Sequence, residues 1–135
     1  MSSRRQERRL ATQILFQADV TGTDGRSALA GWLASEREVP PFARALVEGV
    51  TDHLGEIDRT IAAHSEGWTV ERMASVDRTV LRVAAYELAF GGEVPVGVAI
   101  DEAVRAAKDL STEDSGRFVN GVLGEIAREL DPNEA

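Results

Sequence analysis

Apolar residues recur along this chain at three- and four-residue steps, and no stretch alternates with the period of two that a strand needs. Residues 4–20 carry a stripe of Leu10, Ala11, Ile14, Leu15 and Ala18, closed by Thr21-Gly22 and Asp24-Gly25. Residues 26–35 turn Ala28, Leu29, Trp32 and Leu33 inward. After a polar connection, Pro41 suits a first helical position. Residues 41–65 then read as one long helix through Phe42, Leu46, Val50, Leu54, Ile57 and Ile61. Gly67 breaks it, and Thr69 can cap the turn that follows.

Between Val76 and Phe90 the apolar positions Val76, Val80, Leu81, Val83, Ala84, Leu88 and Phe90 cover more than a stripe, so this helix is central. Arg78, Arg82 and Glu87 mark its exposed face, and Gly91-Gly92 ends it. Pro95 opens the next helix, with Val96, Ile100, Ala103, Val104, Ala107 and Leu110 inward. The pattern predicts an all-α chain of about seven helices, one domain over 1–135 in two lobes, about 3–66 and 67–131.

The last helix has features beyond a core stripe. Val119, Val122, Leu123, Ile126 and Leu130 share its inner face. Ser111 and Asp114 have capping-box spacing, and Ser115 can accept an N–H from the turn after it. Phe118 lies in the first turn, outside that stripe, beside Arg117 and Asn120. Gly121 and Gly124 lie inside the helix, each costing about 1 kcal/mol against Ala. Such glycines point to a close approach, by a neighbouring helix or by a ligand.

Composition narrows the chemistry. The 135 residues include no Cys, which excludes disulfides, thiolate metal sites and cysteine catalysis. No apolar run approaches a membrane span, and the N-terminus lacks the apolar core of a secretory signal, so a cytoplasmic protein is expected. His53 and His64 stand three turns apart on the expected long helix, about 16 Å, too far to share a metal. No nucleophile–base arrangement, phosphate loop or catalytic carboxylate pair stands out, and neither an enzyme nor a cofactor is expected.

Net charge is −8, yet Arg4, Arg5, Arg8 and Arg9 against Glu7 leave +3 in the first nine residues and −11 in the rest. Cations at a helix start oppose the helix dipole and repel one another. The strip is therefore either a solvated, frayed end or an anion-binding surface, and a basic tip on an acidic body fits a local nucleic-acid site.

Several segments, taken in order, resemble the NusB family of transcription antitermination factors. They are Ala11-Thr-Gln-Ile-Leu-Phe-Gln17, Leu81-Arg-Val-Ala-Ala-Tyr-Glu-Leu88, Val94-Pro95, Ala99-Ile-Asp-Glu-Ala-Val104, Ala107-Lys108, and Asp114-Ser115 through Phe118-Val-Asn-Gly-Val-Leu123. The resemblance implies a two-lobed helical fold. It implies binding of single-stranded boxA RNA in ribosomal RNA leader transcripts together with NusE, a small-subunit ribosomal protein, so that RNA polymerase resists termination.

Carried onto this chain, the family's RNA surface is Arg4, Arg5, Arg8, Arg9, Arg117, Phe118 and Asn120. Arginine pairs with phosphate, an exposed Phe offers a stacking surface, and Asn can bond a base edge. Arg82, Tyr86 and Glu87, read as exposed, are the expected NusE contacts. Asp101 departs from an Asn common in the family. Family members occur as monomers and as homodimers, which sequence does not decide. A related reading is the NusB-like domain that precedes some ribosomal RNA cytosine methyltransferases, against which the end at Asp131–Ala135 leaves no room for a cofactor domain. The alternative from another class is a helical protein-interaction scaffold without RNA, in which Phe118, Gly121 and Gly124 pack a partner.

Overall fold

A computed structural model describes residues 3–91 and 94–130; Gly92 of the expected helix stop and the chain's end at residues 131–135 lie outside them. Among the described residues the chain forms seven α-helices and no strand: α1 Arg4–Thr21, α2 Gly25–Ala34, α3 Pro41–Asp52, α4 Leu54–Ala63, α5 Ser75–Tyr86, α6 Val96–Leu110 and α7 Glu113–Leu130.

Local chemistry sets the ends. Ser3 Oγ accepts the Gln6 N–H at 3.1 Å while the Ser3 N–H donates to Gln6 Oε1 at 2.8 Å, a reciprocal cap for α1. Gly22, at φ 74°, closes α1 in the left-handed region. Asp24 caps α2 by accepting the Ser27 N–H at 2.7 Å. Pro41 holds the first position of α3. Thr69 makes no side-chain cap to the short 3-10 turn Val70–Arg72. At α7 the cap is Thr112, whose Oγ1 accepts the Ser115 N–H at 3.1 Å, not the Ser111–Asp114 pair. Ser115 accepts no following N–H; its hydroxyl donates to Ser111 Oγ at 3.1 Å.

The long helix expected over 41–65 is two helices. His53, at φ −113°, ends α3 and starts α4: its N–H donates to Gly49 O, and its carbonyl accepts the Ile57 N–H at 2.9 Å. One non-helical residue preserves the spacing of the apolar stripe, so periodicity reads straight through the bend. Gly49 is also where α3 meets α5, since a Cβ there would fall 2.2 Å from Tyr86 Cζ.

Helices α1, α2 and α3 pack on one another, and α5, α6 and α7 form the second group. Helix α4, read with the first lobe, packs mainly on α5 and also on α7, while α1 lies along α5. One continuous apolar core crosses both groups, with Ile14, Val47, Ile61, Leu81, Val119 and Leu123 among its most buried side chains. Leu33, Phe90, Leu110 and Leu130, expected inward, are 43%, 42%, 50% and 52% exposed. Each lies in the last two turns of its helix or beyond, where the neighbouring helices no longer cover it.

The opposite correction concerns Arg78, Arg82 and Glu87. Expected on the exposed face of α5, they are covered there by α1 and α4. Asp19 of α1 receives Arg78 Nη2 at 2.7 Å, Arg82 Nη1 at 3.1 Å and the Ser75 hydroxyl. Asp58 of α4 takes Arg82 through Nε at 2.8 Å and Nη2 at 2.9 Å. Burial pushes the Asp19 carboxyl up, but hydrogen bonds from Arg78, Ser75 and Arg82, with the charge of Arg78, outweigh it and hold the group below the usual carboxylate range.

A carboxyl depressed on folding contributes stability above its unfolded value, near about 4, and loses it as pH falls through the folded value. Asp19→Asn is therefore expected to destabilise the protein by about 3 kcal/mol at neutral pH. Thermal melts from pH 7 downward should show the wild-type advantage shrinking below about pH 4. A constant gap across that range would remove the ion pairs as its source.

Candidate nucleic-acid interface

The structure explains how four arginines are tolerated at one helix start. Arg5 grips Glu102 of α6 through Nε at 3.0 Å and Nη2 at 3.0 Å. Arg8 Nε lies 2.9 Å from Glu87, a pair whose side chains are only 12% and 3% exposed. Arg9 Nη2 reaches Asp109, near the end of α6, at 2.9 Å. The Arg4 guanidinium lies 4.0 Å from the centre of the Phe42 ring, a cation–π contact. The hydrogen bond from Arg5, against some burial and helped by its charge, holds the Glu102 carboxyl below the usual range. Acidic side chains of the second helical group thus neutralise the repulsion built into the first.

These pairs rank the arginines as phosphate ligands. Arg4 is exposed and has no carboxylate partner among the described residues. Arg5 and Arg9 lie at exposed or half-exposed pairs, and the Arg5 pair does not use its Nη1 edge. Arg8 is committed to a buried carboxylate and is a structural residue first.

At the other end of the expected surface, Arg117 is 70% exposed and pairs with Asp114. Asn120 is exposed on α7. Phe118 is half-buried, not a free platform: it packs on the core and meets Trp68 edge-on, with ring centres 6.2 Å apart at 67°. The two ends are joined along one edge. Arg9 holds Asp109, and α7 starts four residues later with Gly116 pressed onto Lys108, where a Cβ would lie 2.6 Å from Lys108 Cγ. No described groove is lined by both the α1 arginines and Phe118.

The interior glycines of α7 behave differently from expectation. A Cβ on Gly121 or Gly124 would meet nothing within 4 Å, so among the described residues no helix approaches them. The close approaches inside the fold are at Gly25, Gly49 and Gly116. Of the two readings of Gly121 and Gly124, the intramolecular helix is excluded.

The residues expected to meet NusE are also occupied within the chain. Arg82 and Glu87 form the internal ion pairs described above, and half-buried Tyr86 lies over Gly49 and stacks on Phe90 at 5.5 Å. Helical periodicity could not show this, because their partners come from α1, α3 and α4. Helical periodicity does not mark Trp68 and Arg72; a Trp just after Gly67 and outside every stripe is the signal the sequence carries for them. His53 is the helix break itself, and His64 follows the last residue of α4. His53 stacks on Phe90 at 4.2 Å, and His64 contacts Glu129. The described residues hold no cluster of three or more potential metal ligands, and no helix long and apolar enough to cross a membrane.

Removing Arg8 leaves the Glu87 carboxylate buried without its cation. Arg8→Ala should cost about 3 kcal/mol in chemical denaturation, whereas Arg5→Ala should leave the midpoint nearly unchanged. Equal effects of the two would contradict the division into structural and available arginines.

Comparison with known proteins bears on the same frame. The sequence profile of the NusB family matches residues 5–128. The transcription antitermination protein NusB of Symbiobacterium thermophilum is 49% identical over 93% of this chain and 90% of its own length. The solved NusB of T. maritima superposes with a TM-score of 0.85 at 38% identity, covering 95% of this chain and 92% of that one. A chain from the crystal structure of the antitermination factors NusB and NusE with double-stranded RNA gives 0.82 at 27% identity, covering 93% and 96%. Segments that were individually weak in the sequence are thus joined in one alignment running from the arginine helix to the end of α7, and the chain belongs to the NusB family.

Proposed function

We infer that the protein is a transcription antitermination factor. It binds the single-stranded boxA element of ribosomal RNA leader transcripts together with NusE and enters the RNA polymerase complex that resists termination. The observation that carries this reading is the match of nearly the whole chain to a fold solved with NusE and RNA. As a member of a family of antitermination factors, it works by binding and not by catalysis. Its setting is the cytoplasm, where transcripts are made.

The geometry supports an RNA path along the edge from Arg4 to the start of α7. Arg4, Arg5 and Arg9 are the phosphate ligands, and the exposed Arg117 and Asn120 flank Phe118. Glu102 and Asp109 compete with phosphate for Arg5 and Arg9, so affinity of the protein alone is modest and a partner that adds contacts raises it. Arg82 and Glu87 are engaged inside the fold, so NusE contacts come from other residues of the surface. A scaffold that binds only protein is the second reading, favoured by the internal pairing of three of the four arginines.

Anisotropy of a labelled boxA-like RNA, with and without NusE, separates them. With three arginines on phosphate, log affinity should fall against log salt with a slope of about −2, or about 20-fold between about 50 and 200 mM. Arg4→Glu should weaken RNA binding with the melting temperature intact; Arg8→Glu cannot serve, since it sets a second carboxylate against Glu87. Phe118→Ala should cost about 1–3 kcal/mol of RNA affinity. Saturable NusE binding with no RNA uptake would leave the scaffold. Sedimentation of the same mixtures reads any homodimer and whether RNA dissolves it.

A further inference from the structure

Trp68 and Phe118 form a corner in which Phe118 packs on the core and Trp68 stands outside it. Trp68 follows Gly67, which turns the chain at φ 78°, and the residue is 53% exposed although Trp is the largest apolar side chain. Edge-on contact with Phe118 fixes the two rings as a ridge between two grooves. One groove runs over the bare α7 backbone at Gly121. The other is walled by Arg72, Met73, Asp77 and Ser115.

Two polar groups of this second groove lack partners. Arg72 is exposed and has no carboxylate among the described residues, unlike Arg5, Arg8 and Arg9. Asp77 has its Oδ1 buried with no hydrogen-bond donor, one of two such side-chain atoms among the described residues. An ionised carboxylate only accepts, so the part of Asp77 that lines the groove recognises a donor. The groove therefore has a place for a donor at Asp77, for an anion at Arg72 and for a flat ring on Trp68. A nucleotide supplies all three: a base edge, a phosphate and a π-face.

We propose that the Trp68–Asp77–Arg72 groove binds one nucleotide of single-stranded RNA, with the base on the indole, its amino edge at Asp77 and its phosphate at Arg72. The proposal rests on the RNA-binding reading above and extends the RNA path past Phe118 to the connection between α4 and α5. An acceptor-only carboxylate selects a base bearing an exocyclic amine. Uracil, whose single N–H lies between two carbonyls, fits poorly. Stacking supplies affinity, and Asp77 supplies the choice of base.

Trp68 is its own reporter. The chain has two tryptophans, Trp32 and Trp68, so Trp32→Phe leaves Trp68 as the sole indole. Titrating this variant, with NusE present, with a boxA-like RNA should quench its fluorescence in step with the anisotropy of the labelled RNA. Trp68→Ala should lower RNA affinity about 5- to 150-fold at an unchanged melting temperature, as befits an exposed side chain. Arg72→Gln should flatten the salt slope by about 0.7, and Asp77→Asn should narrow the penalty for placing uracil at the quenching position. RNA that binds with Trp68 fluorescence and Trp68→Ala affinity unchanged overturns the groove and leaves the antitermination reading intact. No RNA binding at all, even with NusE, overturns both. Quenching by NusE alone, with no further change on adding RNA, makes the groove a protein contact and overturns the proposal.

Discussion

The seam between α1 and α5 is closed by guanidinium–carboxylate pairs, and the placement of every other helix depends on it. Asp19 gathers Arg78, Arg82 and Ser75, while Asp58 takes the far side of Arg82, so three helices meet at one cluster of charge. Arg8 and Glu87 repeat the device where α5 runs into the wider π-helical turn Glu87–Gly91. Taking these groups from water is costly, and the attraction offsets it only while each charge keeps its partner. The gain lies in register: an apolar seam of Ala and Val tolerates sliding, and a fork of five donors on paired carboxylates does not.

The same pairs change the meaning of the basic tip. Four arginines on the first two turns of a helix are unfavourable in isolation, by dipole and by mutual repulsion. In the folded chain the acids of α6 and the π-helical turn surround three of them. The tip is thus a set of partly neutralised cations with spare donors, set against an acidic body that disfavours RNA elsewhere. Such a surface binds locally and is sensitive to salt.

Glycine shows how far a residue type can be read without its neighbours. Gly49, unremarkable in the sequence, is where Tyr86 crosses α3 with no room for a methyl group. Gly121 and Gly124, conspicuous in the sequence, face open space. The cost of a helical glycine is local and visible in the chain, whereas its compensation belongs to whatever approaches it.

What the sequence by itself determined is the set of helices, most of their ends, the buried stripes and the family. Each of these rests on spacing within a dozen residues or on short motifs, and caps such as Ser3, Asp24 and Gly22 act within one turn. Tertiary structure alone decided the break at His53, the inward turn of Arg78, Arg82 and Glu87, the ranking of the four arginines and the pairing of Trp68 with Phe118. For the arginines, Glu87 and Trp68 the deciding partner lies dozens of residues away. The period of a helix tells which residues share a face, but only the packing of helices tells whether that face meets water, a carboxylate or another ring.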